Sequence, residues 1–314
     1  VNVPNAHLDL SPLTVKDLID AKFAVQQKAD YIAQSFVRRA SDILELRAVL
    51  ADAGAPGTKI IAKIEDEEGV KNIDEIIQEA NGIMVARGDL GVQIPLQDIP
   101  FVQKMIIRKT IEARKPVIVA TQMLDSMTNN PTPTRAEVSD VANAIADGSS
   151  AVMLSGETAQ GKHPVRVVQV MNEIILKSEM HLLQYYWFPK KQRDFSVAEA
   201  LAKAVCYTAK DLNAKAIITC TLSGATARFI SSHKPRKPIL AVTRDEKSLR
   251  EMCLNWGITP LLIPPTKNTD ELIKEAIKAA KKSGVVEKGD LVVITAGLQT
   301  MHSHETNLIK VQQI

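Results

Sequence analysis

The chain has 314 residues, of which 39 are basic and 36 acidic, giving a net charge of +3 at pH 7. That near-balance argues against a protein built for nucleic acid or a membrane surface, both of which call for a strongly basic face. Hydrophobic residues make up 45% and aromatics only 4%, so the core is aliphatic, and the length allows two domains or one large barrel with a small companion.

The N-terminal Val1-Asn2-Val3-Pro4-Asn5 has neither the basic nor the apolar region of a signal peptide, and no initiator Met, so the chain is expected to start partway through a longer protein. Val15, Leu18, Ala21 and Val25 then form one helical stripe. Short apolar runs rich in Ile and Val begin near Tyr31, Lys59, Gly82, Pro116 and Ala151, and they read as strands separated by helical segments. Thr134-Arg135-Ala136-Glu137 has the spacing of a capping box and predicts a helix running through Ile145. No apolar run approaches the roughly 18 residues of a membrane span.

This alternation implies a parallel sheet with right-handed crossovers. An open sheet and a (β/α)₈ barrel both satisfy it. Polar residues at the C-terminal ends of the strands favour the barrel, whose active sites gather at that face. Closure takes eight strands and five are legible, so about three are missing. The periodicity breaks between Met180 and Asp194, where Gln184-Tyr185-Tyr186-Trp187-Phe188-Pro189-Lys190-Lys191 concentrates aromatics expected to pack between domains. A second α/β unit begins at Ser196, with strands predicted at 216–220, 239–242, 259–263, 291–295 and 308–311. Cys206, Cys220 and Cys253 have no C-x-x-C partner and an odd count, so no disulfide framework is implied and a reduced, cytoplasmic setting is expected. The expected architecture is α/β: a partial TIM-type barrel over residues 1–180, then a smaller α/β domain with a mostly parallel sheet over 181–314.

The chemistry concentrates at two strand ends. Lys63-Ile64-Glu65 ends the second apolar run, and Ala86-Arg87-Gly88-Asp89-Leu90-Gly91 ends the third. Lys63 and Glu65 are two apart and face one side of a strand. Two carboxylates and a lysine at successive strand ends suit a hard cation and an anionic substrate, since Mg²⁺ is held by one or two carboxylates plus substrate oxygens. The residue types alone also fit a plainer reading, in which Glu65 and Asp89 are solvated acids at helix starts and Lys63 merely pairs with Glu65.

Six segments, taken together, resemble the pyruvate kinases. They are Ala33-Gln34-Ser35-Phe36-Val37-Arg38, Ile61-Ala62-Lys63-Ile64-Glu65, Gly82 through Gly91, Ala120-Thr121-Gln122-Met123-Leu124, Pro133-Thr134-Arg135-Ala136-Glu137, and Met153-Leu154-Ser155-Gly156-Glu157-Thr158-Ala159. They occur in family order and the resemblance covers nearly the whole chain. It implies barrel strands four to eight plus the C-terminal domain, with the first three strands and an inserted lid domain absent. The implied reaction moves a phosphoryl group from phosphoenolpyruvate to ADP and protonates the enolate to pyruvate, the ATP-forming step of glycolysis. K⁺ is implied as a second cation, with its ligands in the absent part, which leaves the activity of these 314 residues on their own an open question.

The resemblance also implies roles. Glu65 and Asp89 match the ligands of Mg²⁺ or Mn²⁺. Lys63 matches the lysine that stabilises charge on the transferring phosphoryl group and the enolate oxygen. Arg87, Gly88 and Asp89 match the segment whose amides hold the substrate carboxylate, and Thr121 a substrate-contacting threonine. Ser155 and Glu157 are candidates for a hydroxyl and water relay that delivers the proton, although a strand-end serine also serves as a turn former or cap. Thr221, Ser223, Gly224 and Thr226 match an effector phosphate loop; a βα turn with a serine cap is the plainer alternative. The second effector loop of many relatives is glycine-rich, whereas Ala296-Gly297-Leu298-Gln299-Thr300-Met301-His302 has one glycine. That departure weakens fructose 1,6-bisphosphate and leaves another sugar phosphate, a nucleotide or no effector. His302 and His304, with no third ligand nearby, read as loop histidines rather than a zinc site. The resemblance implies a homo-oligomer, a tetramer in the intact family, without nucleic acid or membrane partners. Two other functions stay in view: a metal-dependent lyase or aldolase on a related barrel, and a non-catalytic, effector-binding chain.

Overall fold

The computed structural model describes residues 13–182, 196–297 and 306–314. The N-terminal segment, the aromatic stretch from Gln184 to Lys191, the loop from Leu298, and His302 and His304 lie outside the described residues. The chain divides into two compact units, Val1–Tyr186 and Trp187–Ile314.

The first unit alternates α1 (Val15–Gln26), β1 (Tyr31–Gln34), α2 (Ala40–Asp52), β2 (Lys59–Ile64), α3 (Glu67–Lys71), α4 (Ile73–Glu79) and β3 (Gly82–Ala86). It continues with α5 (Arg87–Gln93), α6 (Ile99–Glu112), β4 (Val117–Ala120), α7 (Arg135–Ala146), β5 (Ala151–Met153), α8 (Gly156–Ala159) and α9 (Pro164–Leu182). The five strands form one sheet in chain order, and every pairing is parallel. Alternate strand residues divide the two faces. Ile60, Ala62, Ile64, Ile83, Val85, Val117 and Val119 join the core that the helices cover. Ile61, Lys63, Met84, Ala86, Ile118 and Ala120 have the opposite parity.

Local signals explain several boundaries. Thr134 accepts the Glu137 amide, and the Glu137 carboxylate accepts the Thr134 amide in return, so the predicted capping box starts α7. Thr14 and Asp17 do the same for α1. The α1 stripe is shorter than its spacing predicts. Ala21 is buried and Leu18 and Val25 pack on the core, while Val15 is 77% exposed. The helix packs against α2, and its first residue, Val15, is not covered by any described element.

The second unit comprises α10 (Val197–Asp211), β6 (Ala216–Cys220), α11 (Ala225–Ser232), β7 (Ile239–Thr243), α12 (Glu246–Met252), β8 (Ile258–Leu262), α13 (Thr269–Lys282), β9 (Leu291–Ala296) and β10 (Leu308–Gln313). Its sheet runs β10-β9-β6-β7-β8. Only β10 is antiparallel to its neighbour, so the sheet is mostly parallel as expected. Strand β8 starts one residue earlier than its apolar run predicts, because Ile258 pairs with Ile239 directly after the left-handed Gly257. The central strands β6 and β7 are buried throughout, as strands covered on both faces must be.

Candidate active site

The parallel register gathers the chemistry at the C-terminal ends of β1 to β5. Lys63, near the end of β2, lies opposite Met84, on the face away from the helices. Its ammonium sits 2.7 Å from Glu65 Oε1 and donates to Ser35 Oγ at 2.8 Å. Glu65, one residue past β2, is only 1% exposed. Its Oε2 accepts the Phe36 amide at 2.6 Å. Glu65 is therefore a buried, oriented carboxylate and not a solvated acid. The next residue, Asp66, accepts the Gly69 amide at 2.7 Å and starts α3. Burial pushes its carboxyl above the usual range, against that hydrogen bond and the Arg38 charge.

Arg87 opens α5 directly after β3, but its side chain turns toward β4. The guanidinium donates to Thr121 O at 2.9 Å, to Gln122 O at 3.1 Å, and to Asp140 Oδ1 at 2.7 Å. It is 8% exposed. Its charge is thus engaged with the β4 turn and with α7. Gly88 donates its amide to Thr121 Oγ1 at 2.8 Å, and a Cβ there would stand 3.3 Å from that same oxygen. The Thr121 hydroxyl in turn donates to Ala120 O at 2.6 Å. Asp89 is half-buried in the first turn of α5, and its carboxylate has no hydrogen-bond or ion-pair partner among the described residues.

Three residues at these strand ends adopt left-handed backbone without being glycine: Phe36 (φ 52°), Thr121 (φ 69°) and Gln122 (φ 52°). Such conformations persist only where surrounding contacts hold them, and they cluster at functional sites. Here the contacts are visible: Glu65 holds the Phe36 amide, and Arg87 holds the carbonyls of Thr121 and Gln122.

At the end of β5, Glu157 is 1% exposed. It accepts the Ser155 amide at 2.8 Å and the Leu124 amide at 3.2 Å, so it ties the β4 and β5 loops together. Ser155 Oγ is buried without a hydrogen-bond partner among the described residues. Sequence reasoning assigned no role to Ser35, Gln122 or Asp140. The available signal for Ser35 was its place one residue past β1, where the parallel register sets it beside Lys63. Asp140 gave none.

In the second unit, the turn after β6 carries the other cluster. The Thr221 amide bonds Val242 O at 2.9 Å. Ser223 is exposed, and Arg228 donates to its carbonyl at 3.0 Å. Gly224 is left-handed (φ 76°), and a Cβ there would lie 2.8 Å from Met252 Cγ, so glycine is required. Thr226 is buried, its hydroxyl bonded to that of Thr306, and it faces inward while Ser223 faces out.

Comparison with known proteins identifies both units. Residues 1–168 match the family model for the pyruvate kinase barrel domain, and residues 199–312 match that for the pyruvate kinase alpha/beta domain. The pyruvate kinase of Geobacillus stearothermophilus is 49% identical over 316 residues, covering all of this chain and 54% of its own length. That of Lactobacillus delbrueckii subsp. bulgaricus is 47% identical, with 54% of its length covered. That of Clostridium acetobutylicum is 45% identical over 316 residues, with 67% covered. The chain thus spans about half the length of two of these relatives and two thirds of the third. With both of its units matched in order, the chain belongs to the pyruvate kinase family.

Proposed function

We propose that the chain supplies the Lys63, Glu65, Asp89 and Thr121 part of a site that transfers a phosphoryl group from phosphoenolpyruvate to ADP. The observation that carries this reading is the Lys63–Glu65 pair, 2.7 Å apart at a buried strand end, on the same edge of the sheet as the unpartnered carboxylate of Asp89. In the reaction the bond from phosphorus to the enol oxygen breaks. A new one forms to a terminal oxygen of ADP, and the enolate carbon takes a proton to give pyruvate. Both halves develop negative charge, and catalysis is mainly positioning and electrostatic stabilisation.

The donor set fits a divalent cation. Glu65 and Asp89, at the ends of neighbouring strands, offer two carboxylates and leave the remaining positions for substrate and water oxygens. That ligand count suits Mg²⁺ or Mn²⁺. Glu65 and Asp89 would hold the ion, which when bound supplies Lewis-acid stabilisation of phosphoryl and enolate oxygens.

The chain's own residues divide the rest. The Lys63 ammonium has three donors, of which two are occupied, and the third is left for an oxygen of the transferring group. Thr121 retains a lone pair for substrate while its other bonds hold it to Gly88 and Ala120. Gly88 lets the backbone approach, but its amide is already occupied by Thr121, so the substrate carboxylate meets the Asp89 end of the segment. Arg87 acts through the β4 turn it holds. Ser155, a buried hydroxyl without a partner, is the candidate end of the proton relay, with Glu157 as its anchor.

The wider reading follows the family: a glycolytic, cytoplasmic homotetramer that also needs K⁺. In the second unit Thr221, Ser223, Gly224 and Thr226 form a loop for a phosphate-bearing effector, with Ser223 the exposed hydroxyl and Thr226 the inward tether. Among the described residues no helix is long and apolar enough to cross a membrane.

The test is pyruvate formation by this chain from phosphoenolpyruvate, ADP, Mg²⁺ and K⁺, beside the Geobacillus relative as a positive control. Turnover dependent on both ADP and the divalent ion is the expected result for a self-sufficient site. No turnover beside an active control means that these residues are one part of a site completed by further chain.

A further inference from the structure

We propose that Ser35 is a positioning residue for Lys63: its hydroxyl fixes the ammonium so that a single N–H is left for the transferring group. The proposal rests on the phosphotransferase reading above. Strand β1 pairs with β2 in parallel up to Gln34 and Ala62, so the next residues along, Ser35 and Lys63, come side by side. Ser35 Oγ accepts from Lys63 Nζ at 2.8 Å, and Glu65 Oε1 takes a second donor at 2.7 Å. A lysine head on a four-carbon stem otherwise swivels freely about one carboxylate. Two acceptors just past the ends of different strands fix its azimuth, and the third N–H is directed by elimination.

The turn that carries Ser35 is itself tied to the pair. Phe36 adopts φ 52°, which points its amide at Glu65 Oε2, 2.6 Å away. The Val37 amide then bonds Lys63 O at 3.3 Å. One short turn therefore holds the lysine head, the glutamate head and the lysine backbone together. Ser35 is not explained as a helix cap, because the residue that precedes α2 is Arg39. It is also exposed, so removing its hydroxyl costs the fold little, and a purely structural role predicts almost no effect.

The experiment compares Ser35→Ala and Ser35→Thr with the wild-type chain. Acetylation of each lysine is followed by mass spectrometry under limiting reagent, with Lys115 as an internal monitor of general opening, since its ammonium is held by the carbonyls of Ile77 and Gln78. Ser35→Ala is expected to change the Lys63 labelling rate by about threefold or more with Lys115 unchanged, and Ser35→Thr to restore it. In turnover, Ser35→Ala is expected to lower kcat roughly tenfold, the weight of one hydrogen bond to a charged group, with KM for phosphoenolpyruvate within about twofold and Ser35→Thr near normal. Unchanged Lys63 labelling in Ser35→Ala overturns the proposal, as does a change shared equally by Lys115. A wild-type chain without turnover counts against the activity of this chain alone, and the labelling still decides the role of Ser35.

Discussion

The Arg87 guanidinium lies 2.9 Å from the Thr121 carbonyl, and this contact joins the end of β3 to the turn after β4. The same guanidinium bonds Gln122 O and Asp140, so one buried cation holds two successive left-handed residues against α7. Removing the Asp140 charge leaves that cation short of its counter-ion. Asp140→Asn is expected to lower stability by about 1–2 kcal/mol, because the Asp140 end is partly solvated. The urea midpoint measures it, and an unchanged midpoint would mean that the carbonyls alone hold Arg87.

Lys63→Met removes the charge that the proposed reading places beside the phosphoryl and enolate oxygens. Turnover in the complete enzyme is expected to fall by about 10³-fold or more, in line with the loss of a preorganised charge, while far-UV circular dichroism stays the same. Near-normal turnover in that variant would sink the charge-stabilising role.

Asp89 has no hydrogen-bond or ion-pair partner among the described residues, so Asp89→Ala is expected to leave the unfolding midpoint within about 0.5 kcal/mol of wild type. On the proposed reading its effect is on metal binding. A Mn²⁺ titration followed by water proton relaxation is expected to show at least roughly tenfold weaker binding, and an unchanged titration removes Asp89 from the metal shell.

Glu137 links α7 to the loop after β4. Burial raises its pKa, but hydrogen bonds from Ser126 and Thr134 outweigh that and leave the carboxyl below its ordinary value of 4.5. A carboxyl depressed in the folded state adds stability above its unfolded pKa, and that contribution is lost as pH falls through the folded value. Urea midpoints between pH 6 and about pH 3 are expected to decline less steeply in Glu137→Gln than in wild type. Parallel curves would mean that Glu137 titrates as a free side chain.

Burial pushes the thiols of Cys206 and Cys220 up to about 12, while Cys253 is exposed. A thiol with that pKa holds almost no thiolate near neutral pH, and the thiolate is the nucleophile. Ellman's reagent is therefore expected to titrate one thiol quickly in the native chain and all three after denaturation. Fast native reaction of more than one would contradict the packing of β6 or α10.

Strands such as β3 and β4 were legible because buried parallel strands read as unbroken apolar runs, and Lys63 and Glu65 could be set on one side from parity alone. The Thr134–Glu137 cap was legible from spacing, and the Ser196–Glu199 pair that starts α10 has the same signature. The destination of the Arg87 side chain was not legible. Its partner Asp140 lies 53 positions on, and nothing local distinguishes an arginine reaching for substrate from one holding a neighbouring turn. The backbone at Phe36, Thr121 and Gln122 was equally hidden, since left-handed turns are ordinarily announced by glycine or asparagine.

Those three positions have a consequence for how the protein can change. Each holds a side chain where glycine would relax the backbone by about 1 kcal/mol. Substitutions chosen for thermal robustness alone would therefore be drawn to the ends of β1 and β4. Glycine there would slacken the turns that hold Glu65 and Thr121 in place, so a hardier chain made that way would hold the proposed site less firmly. Room for stabilisation that leaves the chemistry alone lies elsewhere, on helix surfaces such as the exposed first turn of α1.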